Sequence, residues 1–154
     1  MKLLKDILYR VRIEQVVGST NTAIEKLAFD SREVIAFAAF IAIKGTQVDG
    51  HAFIEKAIEN GANTIVCETL PAELKESVTY VRVEPADEAL GVMASDFCDH
   101  PSGKLKLIGI TGTNGKTSIA TLLFRLYRTL GHKCGLISTV ETRIGQRTIP
   151  STHT

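Results

Sequence analysis

Ten consecutive residues constrain the fold of this chain more than any other stretch: Gly109-Ile110-Thr111-Gly112-Thr113-Asn114-Gly115-Lys116-Thr117-Ser118. An apolar run over 105–110 leads into them. Behind them, over 116–130, Ile119, Leu122, Leu123, Leu126 and Leu130 recur at helical spacing. Strand, glycine-rich loop and helix in that order are what a phosphate-binding loop requires. Glycines let the backbone wrap close to phosphate oxygens with several amides pointing inward. The helix N-terminus adds partial positive charge. In such a loop a lysine brings a full charge to the terminal phosphates and the next hydroxyl can ligate Mg²⁺; these roles fall on Lys116 and Thr117. The strict GxxxxGK[ST] pattern requires glycine at 110, where Ile110 stands, and Gly109 comes one residue early. The loop is therefore a variant that rests on Gly112, Gly115, Lys116, Thr117 and their context. The competing reading is a plain strand–turn–helix junction with a chance Gly-Lys-Thr.

Composition narrows the remaining classes. Eighteen basic against 17 acidic side chains leave a net charge of +1, without the basic excess a general nucleic-acid binder needs. Apolar residues make up 44 % and charged residues 23 %, the balance of an ordered globular chain. The longest apolar run, 34–43, is 10 residues, half of the roughly 20 that span a bilayer. Lys2, Lys5, Asp6 and Arg10 interrupt the N-terminus, unlike a signal peptide. The expectation is a cytoplasmic protein with no nucleic-acid or membrane partner. Cys67, Cys98 and Cys134 are widely spaced without a CxxC pair, and read as reduced packing residues.

Along the chain, Leu3, Leu4, Ile7 and Leu8 mark a short helix. Strands are expected over 24–29, 64–67 and 79–83, with a helix over 52–60 ended by Gly61. The apolar run over 39–43 fits a buried strand, although periodicity alone does not separate it from helix. Leu70-Pro71 opens a short acidic helical turn. Leu90, Met93, Ala94 and Phe97 set a helix over 86–97. This β-α-β-β-α order describes a compact α/β unit. His100-Pro101-Ser102-Gly103 reads as a linker, dividing the chain into domains over 1–99 and 104–154. Beyond the helix over 116–130, a strand is expected over 134–137 and a hairpin over 140–149 around Gly145-Gln146.

These residues resemble a known family. Gly112-Thr113-Asn114-Gly115-Lys116-Thr117 is similar to the ATP loop of the Mur ligases, a family that includes folylpolyglutamate synthases and whose loop lacks the outer glycine in the same way. Asp30-Ser31-Arg32, Phe40-Ile41-Ala42-Ile43-Lys44-Gly45 and Asp49-Gly50-His51-Ala52-Phe53-Ile54 resemble the N-terminal domain of MurE-type and MurF-type ligases. The closing Pro150-Ser151-Thr152-His153-Thr154 and the Thr-Asn inside the loop favour the MurE type. The resemblance runs from about Asp30 to the last residue. It implies an α/β fold: a small uridine-nucleotide domain, then the first βαβ part of a P-loop-like central domain.

The resemblance also implies chemistry. MurE-type ligases join meso-diaminopimelate or L-lysine to UDP-N-acetylmuramoyl-L-alanyl-D-glutamate in peptidoglycan precursor synthesis. ATP phosphorylates the glutamate carboxylate, and the incoming amine attacks the acyl phosphate. Carried over residue by residue, Gly112, Thr113, Asn114, Gly115, Lys116, Thr117 and Ser118 form the ATP loop. Lys116 is the catalytic candidate and Thr117 the Mg²⁺ ligand. Phe29 and Ser31 fall on the uridine contacts, and Thr46, Gln47 and Val48 on backbone contacts to the nucleotide. His153 and Thr154 fall where the muramoyl part binds. The diamino acid site would lie outside this chain, so the 154 residues are expected to be an N-terminal portion without ligase activity of its own. One departure stands out. Where the family usually shows a Pro-Gly-Asp-Leu turn, this chain has Ala36-Phe37-Ala38-Ala39, which removes the φ-permissive glycine.

Other readings remain open: a MurF-type or folylpolyglutamate-type ligase, a regulatory nucleotide-binding module, or a non-catalytic UDP-sugar-binding module. Asp30-Ser31-Arg32 also suits a plain strand-end turn in which Asp30 bonds its own backbone. His51 suits the closing of a turn. Arg125, Arg128 and Lys133 suit a solvated helix face.

Overall fold

The computed structural model describes residues 1–45 and 48–151. The chain forms two compact units, Met1–Leu105 and Lys106–Thr154.

The first unit contains β1 (Lys2–Leu3), α1 (Leu4–Ile7), β2 (Ile13–Val17), β3 (Ala23–Ile24), β4 (Lys26–Ala28), β5 (Ala38–Ile41), α2 (Ile54–Glu59), β6 (Ala62–Cys67), β7 (Thr79–Val83) and α3 (Ala86–Phe97). Its main sheet has the order β2-β7-β6-β5-β4. The four strands from β4 to β7 run parallel, and β2 joins β7 antiparallel. Parallel strands covered on both faces read as continuous apolar runs. That explains β5, whose four residues Ala38, Ala39, Phe40 and Ile41 are all fully buried. Alternate side chains go to opposite faces. Ala38 and Phe40 join Ile65, Cys67 and Tyr80 beneath Ile54 and Ala57 of α2. Ala39 and Ile41 join Val66, Val81 and Val83 beneath Leu4 and Ile7 of α1 and Ala89 and Met93 of α3. The α/β class is thus a helix–sheet–helix sandwich.

The helix over 86–97 and the strand over 79–83 form with the expected bounds. Other expectations shift. The strand over 24–29 divides, because Ala23–Ile24 pair with β1 while Lys26–Ala28 pair with β5. The helix over 52–60 starts as a 3-10 turn, Gly50–Phe53, capped by the Asp49 side chain, before α2 begins. The acidic helical turn after Leu70-Pro71 does not form. Its one large apolar side chain, Leu74, is exposed, so no apolar face rewards a helix there.

The departure at Ala36-Phe37-Ala38-Ala39 has a clear structural form. Phe37 adopts φ 61°, the left-handed conformation that glycine suits, and its side chain is 52 % exposed. The turn persists because both backbone groups of Phe37 are held. Its N–H donates to Gly61 O (3.1 Å) and its carbonyl accepts from Glu25 N (2.9 Å). The strained backbone costs roughly 1 kcal/mol for an L-residue. Phe37→Gly should therefore raise stability by a net of about 0.5 kcal/mol or less, the relieved strain minus glycine's entropic cost, measured by urea unfolding. A destabilised variant would mean that the phenyl ring contributes more than the backbone strain.

The second unit contains α4 (Lys116–Thr129) and an antiparallel sheet of β8 (Gly135–Ile137), β9 (Glu141–Ile144) and β10 (Arg147–Pro150), with β9 in the middle. The hairpin around Gly145-Gln146 forms as expected. Two expectations are corrected. Residues 105–110 do not form a strand. Among the described residues β8 pairs with β9 and no parallel pair forms in this unit, so the run has no ladder to join, and Leu105, Leu107 and Ile108 stay exposed. The apolar stripe of α4 is likewise uncovered. Ile119, Leu122, Leu126 and Leu130 are exposed, while Phe124, with Leu136 of β8, is buried. The contact α4 makes lies to one side of its leucine stripe.

Candidate functional site

In an open parallel sheet, ligands bind at the carboxyl ends of the strands. In the first unit that edge carries the connections leaving β4, β5, β6 and β7. Phe29 comes directly after β4 and is 53 % exposed. Ser31 is buried in the 3-10 turn Ser31–Glu33, and its carbonyl accepts from Asn60 Nδ2 (2.8 Å). The Asp30 side chain caps this turn by accepting from Arg32 N (2.9 Å), and it also pairs with the Arg32 guanidinium (2.6 Å). The strand-end turn is therefore present, with Phe29 and Ser31 on either side of its cap. Because β4 and β5 are parallel neighbours, Val48, which comes after β5, lies at the same edge and is exposed. Thr46, Gln47, His153 and Thr154 lie outside the described residues.

The chain between β5 and α2 doubles back tightly. Lys44 and Asp49 form an antiparallel bridge, Gly45 N donates to Val48 O (3.1 Å) and Gly50 N donates to Ile43 O (2.9 Å). Both glycines are required by space. A Cβ on Gly45 would lie 2.8 Å from Val48 O, and one on Gly50 would lie 2.7 Å from Ile43 O.

Beside this hairpin, Asp49 Oδ1 accepts from His51 N (2.9 Å) and meets His51 Nδ1 (2.6 Å). His51 Nε2 accepts from Glu68 N (3.1 Å) and Thr69 N (3.3 Å). An Nε2 that accepts amides carries no proton, so the network assigns the hydrogen to Nδ1, facing Asp49. The backbone N–H of His51, and then its ring, hold the Asp49 carboxyl below the ordinary carboxylate range. The Glu68 side chain in turn accepts from Ala86 N (3.0 Å) at the start of α3. Sequence reading raised the turn-closing role of His51 but missed Glu68, whose partner is 18 residues away and leaves no local spacing signal. Cys67 fits its packing role, since burial pushes its thiol up to about 11.

In the second unit, Gly112 (φ 145°) and Gly115 (φ 78°) shape the loop ahead of α4. Neither meets a crowding atom, so here glycine is required by the backbone conformation. Lys116 Nζ donates to Gly112 O (2.5 Å) and lies 3.4 Å from Thr113 O. Its ammonium thus sits over its own loop. Thr113, Asn114 and Ser118 are exposed, and Thr117 is half-buried in the first turn of α4, where backbone amides lack intrahelical acceptors.

The model for the Mur ligase family, catalytic domain, matches residues 23–98, the sheet and helices that build this edge. Over all 154 residues the chain is 47 % identical to the UDP-N-acetylmuramoyl-L-alanyl-D-glutamate--2,6-diaminopimelate ligase of Phocaeicola vulgatus. The chain belongs to the Mur ligase family. It spans about a third of the length of the curated relatives it matches (32 % of the Phocaeicola protein). Among solved Mur ligases, a structure of UDP-N-acetylmuramoyl-L-alanyl-D-glutamate--2,6-diaminopimelate ligase aligns over 99 % of this chain and 31 % of its own, with TM-score 0.66 at 24 % identity, and so shares its fold. The MurF ligase of Thermotoga maritima, solved in complex with ADP, aligns over 68 % of this chain and 23 % of its own, with TM-score 0.54 at 29 % identity. Among the described residues no helix is long and apolar enough to cross a membrane.

Proposed function

We propose that this chain is the nucleotide-handling part of a cytoplasmic MurE-type ligase that adds 2,6-diaminopimelate to UDP-N-acetylmuramoyl-L-alanyl-D-glutamate at the expense of ATP. The observation that carries this reading is the 47 % identity across every residue of the chain to a ligase of that name. In this reading the first unit binds the UDP end of the precursor. Phe29 offers a half-exposed ring against which a base can stack, Ser31 offers its polar groups, and the segment of Thr46, Gln47 and Val48 offers backbone groups. His153 and Thr154 contact the muramoyl part.

The second unit holds ATP through Gly112, Thr113, Asn114, Gly115, Lys116, Thr117 and Ser118. These residues suit a polyphosphate: two glycines at positive φ, a helix N-terminus, and an ammonium whose acceptors are carbonyls of its own loop. Bound MgATP supplies the electrophilic phosphoryl group. Lys116 then stabilises charge on the transferred phosphoryl and the Thr117 hydroxyl holds Mg²⁺. A carboxylate oxygen of the substrate attacks the γ-phosphorus and ADP leaves. The amine nitrogen attacks the acyl carbon, inorganic phosphate leaves, and the amine proton passes to solvent or base. The diamino acid site belongs to residues beyond these 154.

Calorimetric titration of the chain with UDP-N-acetylmuramoyl-L-alanyl-D-glutamate tests the reading. Saturable binding that UDP competes away is expected, with no amide formed when ATP, Mg²⁺ and diaminopimelate are added. Absence of binding at millimolar precursor would overturn it. A MurF-type ligase, favoured by the 29 % identity to the Thermotoga protein, would bind the tripeptide precursor in preference to the dipeptide one.

A further inference from the structure

The Asp49–His51 pair sits at the sheet edge proposed to hold the nucleotide, yet its geometry excludes a chemical role for the ring. His51 Nδ1 faces Asp49 at 2.6 Å, and Nε2 receives two backbone amides. Neither nitrogen is available to take a proton from a substrate without breaking a bond already made. The arrangement instead joins two connections of the sheet. Asp49 forms the base of the hairpin after β5, through its bridge to Lys44. Glu68 and Thr69 come directly after β6, past the last register pair of the ladder, Cys67↔Arg82. Amides that leave a ladder need an acceptor, and the imidazole supplies one for both.

We infer that His51 is a positioning residue that latches the base of the hairpin after β5, at Lys44 and Asp49, to the end of β6 and so fixes Val48 for the nucleotide. This rests on the proposed function, because the consequence claimed is for precursor binding. The latch has a second anchor. The Glu68 carboxylate accepts from Ala86 N and its carbonyl accepts from Arg82 Nε (3.1 Å). The connections after β5, β6 and β7 are thereby tied in series, and a hairpin held at its base enters the complex with less ordering still to be done.

Three substitutions separate latching from general stability. His51→Ala removes both links. His51→Asn retains a donor that can reach Asp49 but no acceptor at the distance of Nε2. His51→Gln places an acceptor at that distance. In calorimetric titrations of the chain with UDP-N-acetylmuramoyl-L-alanyl-D-glutamate, run where each variant is folded, Ala and Asn should weaken binding about tenfold, the loss of one or two net hydrogen bonds. Gln should stay within about threefold of the parent by the same arithmetic. Amide exchange should quicken at Glu68 and Thr69 in Ala and Asn but not in Gln. A folded Ala variant with the parent affinity overturns the latch. So does a Gln variant as weak as Ala. Should Ala fail to fold, the Asn–Gln contrast decides. A parent chain that binds no precursor overturns the proposed function and the positioning role together, whereas a parent that binds with all variants equal overturns the latch alone.

Discussion

An intact ligase carrying this chain with Lys116→Ala should lose about 10²–10³-fold in turnover, the range found when one donor to developing charge is removed, while its affinity for the UDP precursor is unchanged. The separation comes from the architecture. Lys116 opens α4 in the second unit and belongs to the proposed ATP loop, whereas the edge of Phe29, Ser31 and Val48 proposed to take the UDP end of the precursor belongs to the first, and the proposed muramoyl contacts, His153 and Thr154, are separate residues from that loop. Alanine preserves the helix, being the strongest helix former, so the loss reports the ammonium and not the scaffold. Lys116→Arg should restore little. The ammonium fits within 2.5 Å of Gly112 O in a tight loop, and a planar guanidinium is a larger group with a different donor geometry. Product formation followed by chromatography, beside precursor titration on the same preparation, makes the measurement. Turnover at the parent level would remove Lys116 from the phosphate site.

Legibility in the sequence depends on how locally each feature is determined. The helix α3 and strand β7 are readable because their apolar periods are sustained and the core takes up what the pattern marks: Met93 buried, with Leu90 and Phe97 packed against the core, on one, Val81 and Val83 on the other. The α4 stripe is equally periodic yet exposed at Ile119, Leu122, Leu126 and Leu130. Periodicity states which face wants burial, and only a tertiary partner provides it. The run over 105–110 makes the same point for strands, whose existence depends on a neighbour.

At the site, loop chemistry is visible where neighbours in sequence are neighbours in space. Asp30 caps its own turn, and the Gly-Lys-Thr string opens its helix. Links between distant segments are not visible. His51 reaches Glu68 across 17 residues. Phe37 shows both sides. The missing glycine is plain in the string, and only the backbone reveals that phenylalanine has adopted glycine's conformation in its place.

The same substitution at two glycines should give effects of opposite sign. A Cβ on Gly50 would lie 2.7 Å from Ile43 O, 2.8 Å from Ile43 N and 3.3 Å from Ala42 C. All three are backbone atoms directly after β5, so no side chain can swing aside. The crowding also falls on the Gly50 N to Ile43 O hydrogen bond that closes the hairpin. Gly50→Ala should therefore lower stability by about 1–3 kcal/mol, the usual range for overpacking. It should also weaken precursor binding by up to about tenfold, since about one net hydrogen bond at the base of the hairpin proposed to hold the nucleotide is lost with it. Gly91 lies inside α3, exposed, with nothing within 4 Å of its added Cβ. There the methyl group meets no obstacle and the entropic weakness of glycine in a helix is relieved, so Gly91→Ala should raise stability by about 0.5–1 kcal/mol and leave binding unchanged. Urea unfolding and calorimetry on the two variants supply both readouts. A Gly50→Ala chain as stable as the parent would mean that the hairpin base yields at little cost, and the tight approach of Gly50 to Ile43 would then not determine the shape of the site.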